Sequence, residues 1–92
     1  MRYPLRMEHV IEIFVADHCP GCPDARRRVR EFADTHTNVT VIERDVDEAL
    51  HAAETYGLIA TPAIVVDGRS VLYGVPTLGQ LAARCKATKA AV

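Results

Sequence analysis

Two cysteines lie two residues apart in Asp17-His18-Cys19-Pro20-Gly21-Cys22-Pro23, between an apolar stretch and an amphipathic one. The reactive form of cysteine is the thiolate, which is favoured at the start of a helix by unsatisfied backbone N–H groups and the positive end of the macrodipole. The pattern predicts a helix opening at this motif, with Cys19 in its first turn as the nucleophile. His18 flanks it, and a protonated imidazole favours the thiolate further. Pro20 and Gly21 form a tight turn that brings the second sulfur within reach of a disulfide. Cys22, one turn into the helix, is expected to be more buried and less acidic, as suits a resolving thiol.

Other uses of a C-x-x-C pair require more than this chain supplies. A structural zinc site needs a second ligand pair at similar spacing, and the chain has one further cysteine, Cys85, and four scattered histidines. Two inert core cysteines leave the Pro-Gly pair between them, and the Pro after them, without a reason. Dithiol–disulfide exchange is therefore the first function class. The second is a binding module in which His18, Cys19 and Cys22 capture a soft metal such as Cu(I) or Zn(II). Catalysed reduction of a protein disulfide by metal-free protein separates the two. No resident metal site and no cofactor are assigned.

The remaining composition sets bounds. A chain of 92 residues is one domain, long enough to bury a core without disulfide staples. Hydrophobic residues make up 49% and charged residues 25%, with a net charge of -1, so neither nucleic acid nor an anionic membrane is an expected partner. Three cysteines, two in one short motif, are not a secreted disulfide framework. The first eight residues contain no apolar segment of the signal-peptide kind, and no run is long enough to span a bilayer. The expectation is a cytoplasmic monomer, with residues 1–8 an N-terminal arm, 9–88 the domain and 89–92 a C-terminal tail.

The elements that position the motif are set by the periodicity. His9 to Val15 is nearly continuous apolar and β-branched, as in a central strand covered on both faces. Glu12 interrupts it, either at a solvated strand edge or as a buried proton acceptor near the thiols. After the motif, Ala25, Val29, Phe32 and Ala33 form one helical stripe running to about Thr35. Arg26, Arg27, Arg28 and Arg30 take the solvated face, with Glu31 and Asp34 as i,i+4 partners of Arg27 and Arg30. Val39 to Glu43 is a second strand, which makes a right-handed βαβ crossover. Asp45 and Glu48 have capping-box spacing before a helix from about Asp47 to Tyr56, closed by Gly57. Thr61-Pro62 opens a third strand, and Asp67-Gly68 predicts a hairpin pairing Ile64–Val66 with Ser70–Tyr73. A last helix is capped by Thr77 and Gln80 and places Leu78, Leu81, Ala82 and Cys85 on its apolar stripe, with Cys85 a small core residue.

This order, βαβαββα, with C-P-G-C opening the first helix and T-P opening the third strand, resembles the thioredoxin fold superfamily over about residues 9–88. The phrase Tyr56-Gly57-Leu58-Ile59-Ala60-Thr61-Pro62 is similar to that of its small thioredoxin-like and glutaredoxin-like members. The resemblance implies an α/β fold, a three-layer α/β/α sandwich around a four-stranded mixed sheet. It also implies that Cys19 attacks a protein disulfide, that Cys22 resolves the mixed disulfide, and that Pro62 is cis beside the sulfurs, with Thr61 offering its backbone to a substrate strand. Electrons would come from a thiol or reductase donor. Thioredoxins proper carry W-C-G-P-C, where this chain has His18 and a Pro20-Gly21 pair, and their buried acid falls on Ile13. Glutaredoxins share C-P-x-C, and Gly74-Val75-Pro76-Thr77 matches their glutathione site in part, which leaves glutathione as an alternative substrate.

Overall fold

A computed structural model describes residues 8–90, with side chains described through Lys86. The expected arm, apart from Glu8, and the last two residues of the expected tail lie outside the described residues. Seven elements succeed one another: β1 (His9–Val15), α1 (Cys22–Asp34), β2 (Val39–Asp45), α2 (Leu50–Tyr56), β3 (Ala63–Val66), β4 (Ser70–Tyr73) and α3 (Leu78–Ala90). The sheet order is β2-β1-β3-β4, with β1 parallel to β2 and antiparallel to β3, and β3 antiparallel to β4. This is the four-stranded mixed sheet and the βαβαββα order expected from the sequence.

Strand alternation divides the core into two layers. Ile11, Ile13, Val15, Ile64, Val66 and Leu72 face Cys22, Ala25, Val29 and Phe32 of α1 and Leu81 and Cys85 of α3. Phe14, Ala63 and Val65 face the other way, against Ala53 of α2. β1 and β3 are interior strands buried on both faces, which is why their sequences lack a polar alternation. Each large side chain withdrawn there, such as Phe14 or Ile64, contributes about 1.5–3 kcal/mol.

Local signals in the sequence account for most of the joints. Thr77 and Gln80 form a reciprocal capping box, with Thr77 N–H on Gln80 Oε1 at 2.9 Å and Gln80 N–H on Thr77 Oγ1 at 3.0 Å. Gly57 closes α2 in the left-handed region at φ 68°. Asp67 and Gly68 both have positive φ, 54° and 68°, as the mirror-image hairpin turn requires.

Four expectations need correction. α1 begins at Cys22 rather than at Cys19, because Pro20 and Gly21 are spent on the turn that precedes it. α2 begins at Leu50 rather than near Asp47. Asp45 is the last residue of β2, and its Oδ1 accepts the N–H of Asp47 at 2.9 Å, so the apparent capping box is a turn between strand and helix. On α3 only Leu81 and Cys85 of the expected stripe are buried, while Leu78 and Ala82 face outward because α1 and the sheet contact a narrower strip. The arginines of α1 pair otherwise than at i,i+4: Arg27 with Asp24, Arg28 with Glu31, and both Arg26 and Arg30 with Glu43 of β2.

Candidate active site

The end of β1 delivers the chain to a turn. Ala16 and Asp17 leave the sheet, and His18 adopts φ 59°, a left-handed conformation that a histidine occupies at a cost. Cys19 then accepts the N–H of Cys22 through its carbonyl at 3.2 Å, and Gly21 O accepts the N–H of Ala25 at 2.9 Å to start the helix ladder. Cys19 and Cys22 are joined as a disulfide with Cα atoms 5.4 Å apart, an ordinary separation for such a bond. The two sulfurs are not equivalent. Cys22, the first residue of α1, is 3% exposed and packs into the core, whereas Cys19 is only partly buried at the core's edge.

A cleft of about 550 Å³ opens beside the disulfide, lined by Ala16, Asp17, His18, Pro20, Pro23 and Arg26 with the two cysteines. A segment from a distant part of the chain stands against the motif turn. The Thr61-Pro62 bond is cis, as the resemblance implied, and Pro62 is buried. Its Cδ would lie 3.5 Å from a Cβ built on Gly21, and Val75 Cγ2 would lie 3.7 Å from the same point. Pro62 O accepts the N–H of Gly74 at 3.0 Å, which ties this segment to the end of β4. Ala16 is shared with a second, smaller cleft of about 280 Å³ lined by Val46, Leu58, Ile59, Ala60 and Thr61. The structure thus brings His18, Cys19, Pro20, Gly21, Cys22 and Pro62 together, with Thr61 in the adjoining smaller cleft.

Glu12 does not join them. It is neither at a solvated edge nor in the cleft: it is 7% exposed, and its side chain projects from the face opposite Ile11 and Ile13, away from the layer that holds Cys22. Its Oε1 accepts the Tyr56 hydroxyl at 2.7 Å and its Oε2 the Arg44 Nε–H at 2.7 Å. The hydrogen bond to Glu12 first, then burial, raises the Tyr56 pKa above the usual phenol value. Ile13, where thioredoxins proper keep a buried acid, is apolar and packs in the layer of Cys22.

Arg26 is the site residue that a solvated-face pattern conceals. It lies one turn after Cys22, lines the cleft, and has Nε 2.8 Å from Glu43 Oε2, off the line of a hydrogen bond, so the contact is an ion pair. Cys85 lies in the core on α3, where burial pushes its thiol up to about 11, with Asp67 adding to the shift. A thiol held neutral is a poor nucleophile, and this one lies in the core and does not line the cleft. Among the described residues, no three His, Cys, Asp or Glu side chains converge to hold a metal ion, and no helix is long and apolar enough to cross a membrane.

A mixed four-stranded sheet with a disulfide at the start of the first helix and a cis-proline beside it is the architecture of a dithiol–disulfide exchanger. The thioredoxin domain model matches residues 9–89. A thioredoxin from Methanocaldococcus jannaschii is 38% identical over 68 residues, 73% of this chain and 80% of that protein. A thioredoxin variant from Halobacterium salinarum superposes with a TM-score of 0.74 at 27% identity, over 88% of this chain and 74% of that one. A domain of alkylhydroperoxide reductase from Enterococcus faecalis shares the fold, with a TM-score of 0.76 at 23% identity, over 85% of this chain and 38% of that one. The chain belongs to the thioredoxin family and is a protein-disulfide oxidoreductase.

Proposed function

We propose that Cys19 is the attacking sulfur and Cys22 the resolving sulfur of this exchange. The observation that carries the assignment is the difference in exposure at a cleft that both residues border: Cys19 is only partly buried, whereas Cys22 is 3% exposed. In the reduced protein the Cys19 thiolate displaces one sulfur of a substrate disulfide, forming a mixed disulfide and releasing a substrate thiolate that takes up a proton. Cys22 then loses its proton and attacks Cys19 Sγ. The Cys19–Cys22 bond forms, the mixed disulfide breaks, and the second substrate thiol leaves. Two electrons pass from protein to substrate, and the reverse sequence oxidises a dithiol substrate. His18, Pro20 and Gly21 shape one wall, and Thr61 and Pro62 shape the other, where an extended substrate segment has backbone to meet.

The protein acts as a cytoplasmic monomer on protein disulfides and is returned to the dithiol by a thiol or reductase donor. Two reactive cysteines alongside one inert core thiol suit a reducing compartment. Cys22→Ser tests the roles: Cys19 still attacks, nothing resolves the product, and a mixed disulfide with a protein substrate accumulates. Cys19→Ser is expected to trap nothing. Trapping through Cys22 instead would reverse the assignment.

A further inference from the structure

Burying a carboxylate in the middle of an interior strand costs free energy that an apolar residue at Glu12 would avoid, so its partners are informative. Glu12 holds both ends of one chain segment. Arg44 Nε, 2.7 Å from Oε2, stands at the end of β2, next to Asp45, whose carbonyl accepts the N–H groups of Glu48 and Ala49 in the turn that launches α2. The Tyr56 hydroxyl, 2.7 Å from Oε1, belongs to the last residue of α2. A helix of seven residues with one buried side chain, Ala53, has little packing of its own to fix its position. The Tyr56 ring is also set edge-on to Phe14, with centroids 6.0 Å apart.

Beyond Tyr56 the chain lines the smaller cleft that shares Ala16 with the redox cleft, and it ends on the motif turn. Gly57 turns it in the left-handed region, Leu58 N–H returns to Ala53 O at 2.9 Å, Ile59 N–H reaches the Tyr73 hydroxyl at 3.3 Å, and the segment ends at Thr61 and Pro62 against Gly21. We infer that Glu12 is a positioning residue: by clamping Arg44 and Tyr56 from the face opposite the sulfurs, it sets the α2 segment and hence residues 57–62, the wall that receives a protein substrate. It acts on substrate engagement and leaves the chemistry of the sulfurs untouched, because its carboxylate projects from the other side of the sheet.

This inference rests on the assignment of Cys19 and Cys22 as the reacting pair, and the test keeps the two apart. With dithiothreitol as electron donor, reduction of insulin and of the small disulfide cystamine is measured for the full chain and for Tyr56→Phe, Arg44→Gln and Glu12→Gln. Tyr56→Phe keeps the ring and loses only the hydroxyl, and Arg44→Gln opens the clamp from its half-exposed end, so one variant covers for the other should either lose its fold by circular dichroism. Both are expected to raise KM for insulin by about fivefold, as a misplaced substrate-positioning element does, with kcat and the cystamine rate unchanged. Their midpoint potential against glutathione stays at that of the parent. Glu12→Gln keeps one acceptor oxygen for Tyr56 but turns its amide N–H2 toward the Arg44 Nε–H, a donor against a donor, so it too opens the Arg44 end and is expected to raise KM as Arg44→Gln does. A parental KM in both clamp variants, an equal slowing on insulin and cystamine, or a displaced potential would overturn the inference. Failure of the parent protein to reduce either disulfide would instead overturn the redox assignment, and this inference with it.

Discussion

Gly21 stands directly against Pro62, close enough that a Cβ on the glycine would meet the proline Cδ at 3.5 Å. One residue precedes α1 and the other precedes β3, so the turn that carries the disulfide and the loop that carries the cis bond are in direct contact. Gly21 is not there for backbone freedom. Its φ of -86° and ψ of -10° are open to any L residue, and the separation to Pro62 and Val75 is ordinary van der Waals contact.

Alanine at this position is therefore expected to be accepted. Gly21→Ala fills space at contact distance and restricts the unfolded chain, while alanine is a poorer residue than glycine next to a helix start, and the two effects offset to within about 0.5 kcal/mol. A larger side chain at this position presses on Pro62 and Val75. Gly21→Leu is expected to cost about 1–3 kcal/mol. Denaturant midpoints for the two variants check this ordering, and a Gly21→Leu protein as stable as Gly21→Ala would show that the turn and the loop separate freely.

His18 is the converse case, a side chain where the backbone favours glycine. At φ 59° the left-handed conformation is tolerated by His and Asn and strongly disfavoured for a β-branched residue. His18→Asn is expected to leave stability unchanged, and His18→Val to lower it by about 1–2 kcal/mol. Thermal unfolding of both oxidised variants measures the difference. Equal losses in the two would place the role of His18 in its imidazole rather than in its backbone.

The fold was legible wherever a signal was local. The apolar run of β1, the stripe of Ala25, Val29 and Phe32, the Thr77/Gln80 box and the glycine after Tyr56 each specify their element within a few residues. Asp45 and Glu48 show the limit: the same spacing marks a helix cap or a strand-to-helix turn, and only the hydrogen-bonding of β2 to β1 decides that Asp45 belongs to the strand. The motif was legible from its own residues, and the cis bond before Pro62 through the resemblance. Glu12 was not, because its partners Arg44 and Tyr56 are distant in sequence and meet it only once β2 lies beside β1 and α2 folds over the sheet. Arg26 was not, because amphipathic periodicity separates inside from outside and says nothing about which part of the outside borders a cleft.

Cys85 provides a pH test with a definite sign. Its thiol titrates near 9 when exposed and is pushed up to about 11 by burial in the fold. The folded state thus keeps its proton in a range where the unfolded chain loses it, so the contribution to stability is complete below pH 9 and is lost as the pH rises from 9 through 11. Cys85→Ala removes this dependence, at a loss of about 1 kcal/mol near neutrality and with disulfide exchange intact. Guanidinium midpoints of the oxidised protein between about pH 8 and 11 are expected to fall more steeply for the parent than for Cys85→Ala, the comparison cancelling the contributions of tyrosines and lysines. Parallel curves would mean that the thiol reaches solvent.

The last expectation concerns Arg26, whose guanidinium borders the same cleft as the two cysteines. A positive charge near a thiol favours the thiolate, so Arg26→Gln is expected to raise the pKa of Cys19, the sulfur proposed to attack. Because the guanidinium is half-exposed and shared with Glu43, the effect is that of a screened surface charge, about 0.2–1 kcal/mol, or about 1.4- to 5-fold in thiolate population. In the reduced protein, Cys19 alkylation by iodoacetamide at about pH 6 should slow by that factor. At a pH above the thiol pKa, where the thiolate is fully formed in both proteins, the two rates should converge. Raising the salt concentration should narrow the gap seen in acid, since the interaction passes partly through solvent. A rate reduced equally at every pH would show that Arg26 governs access to the cleft rather than the acidity of Cys19.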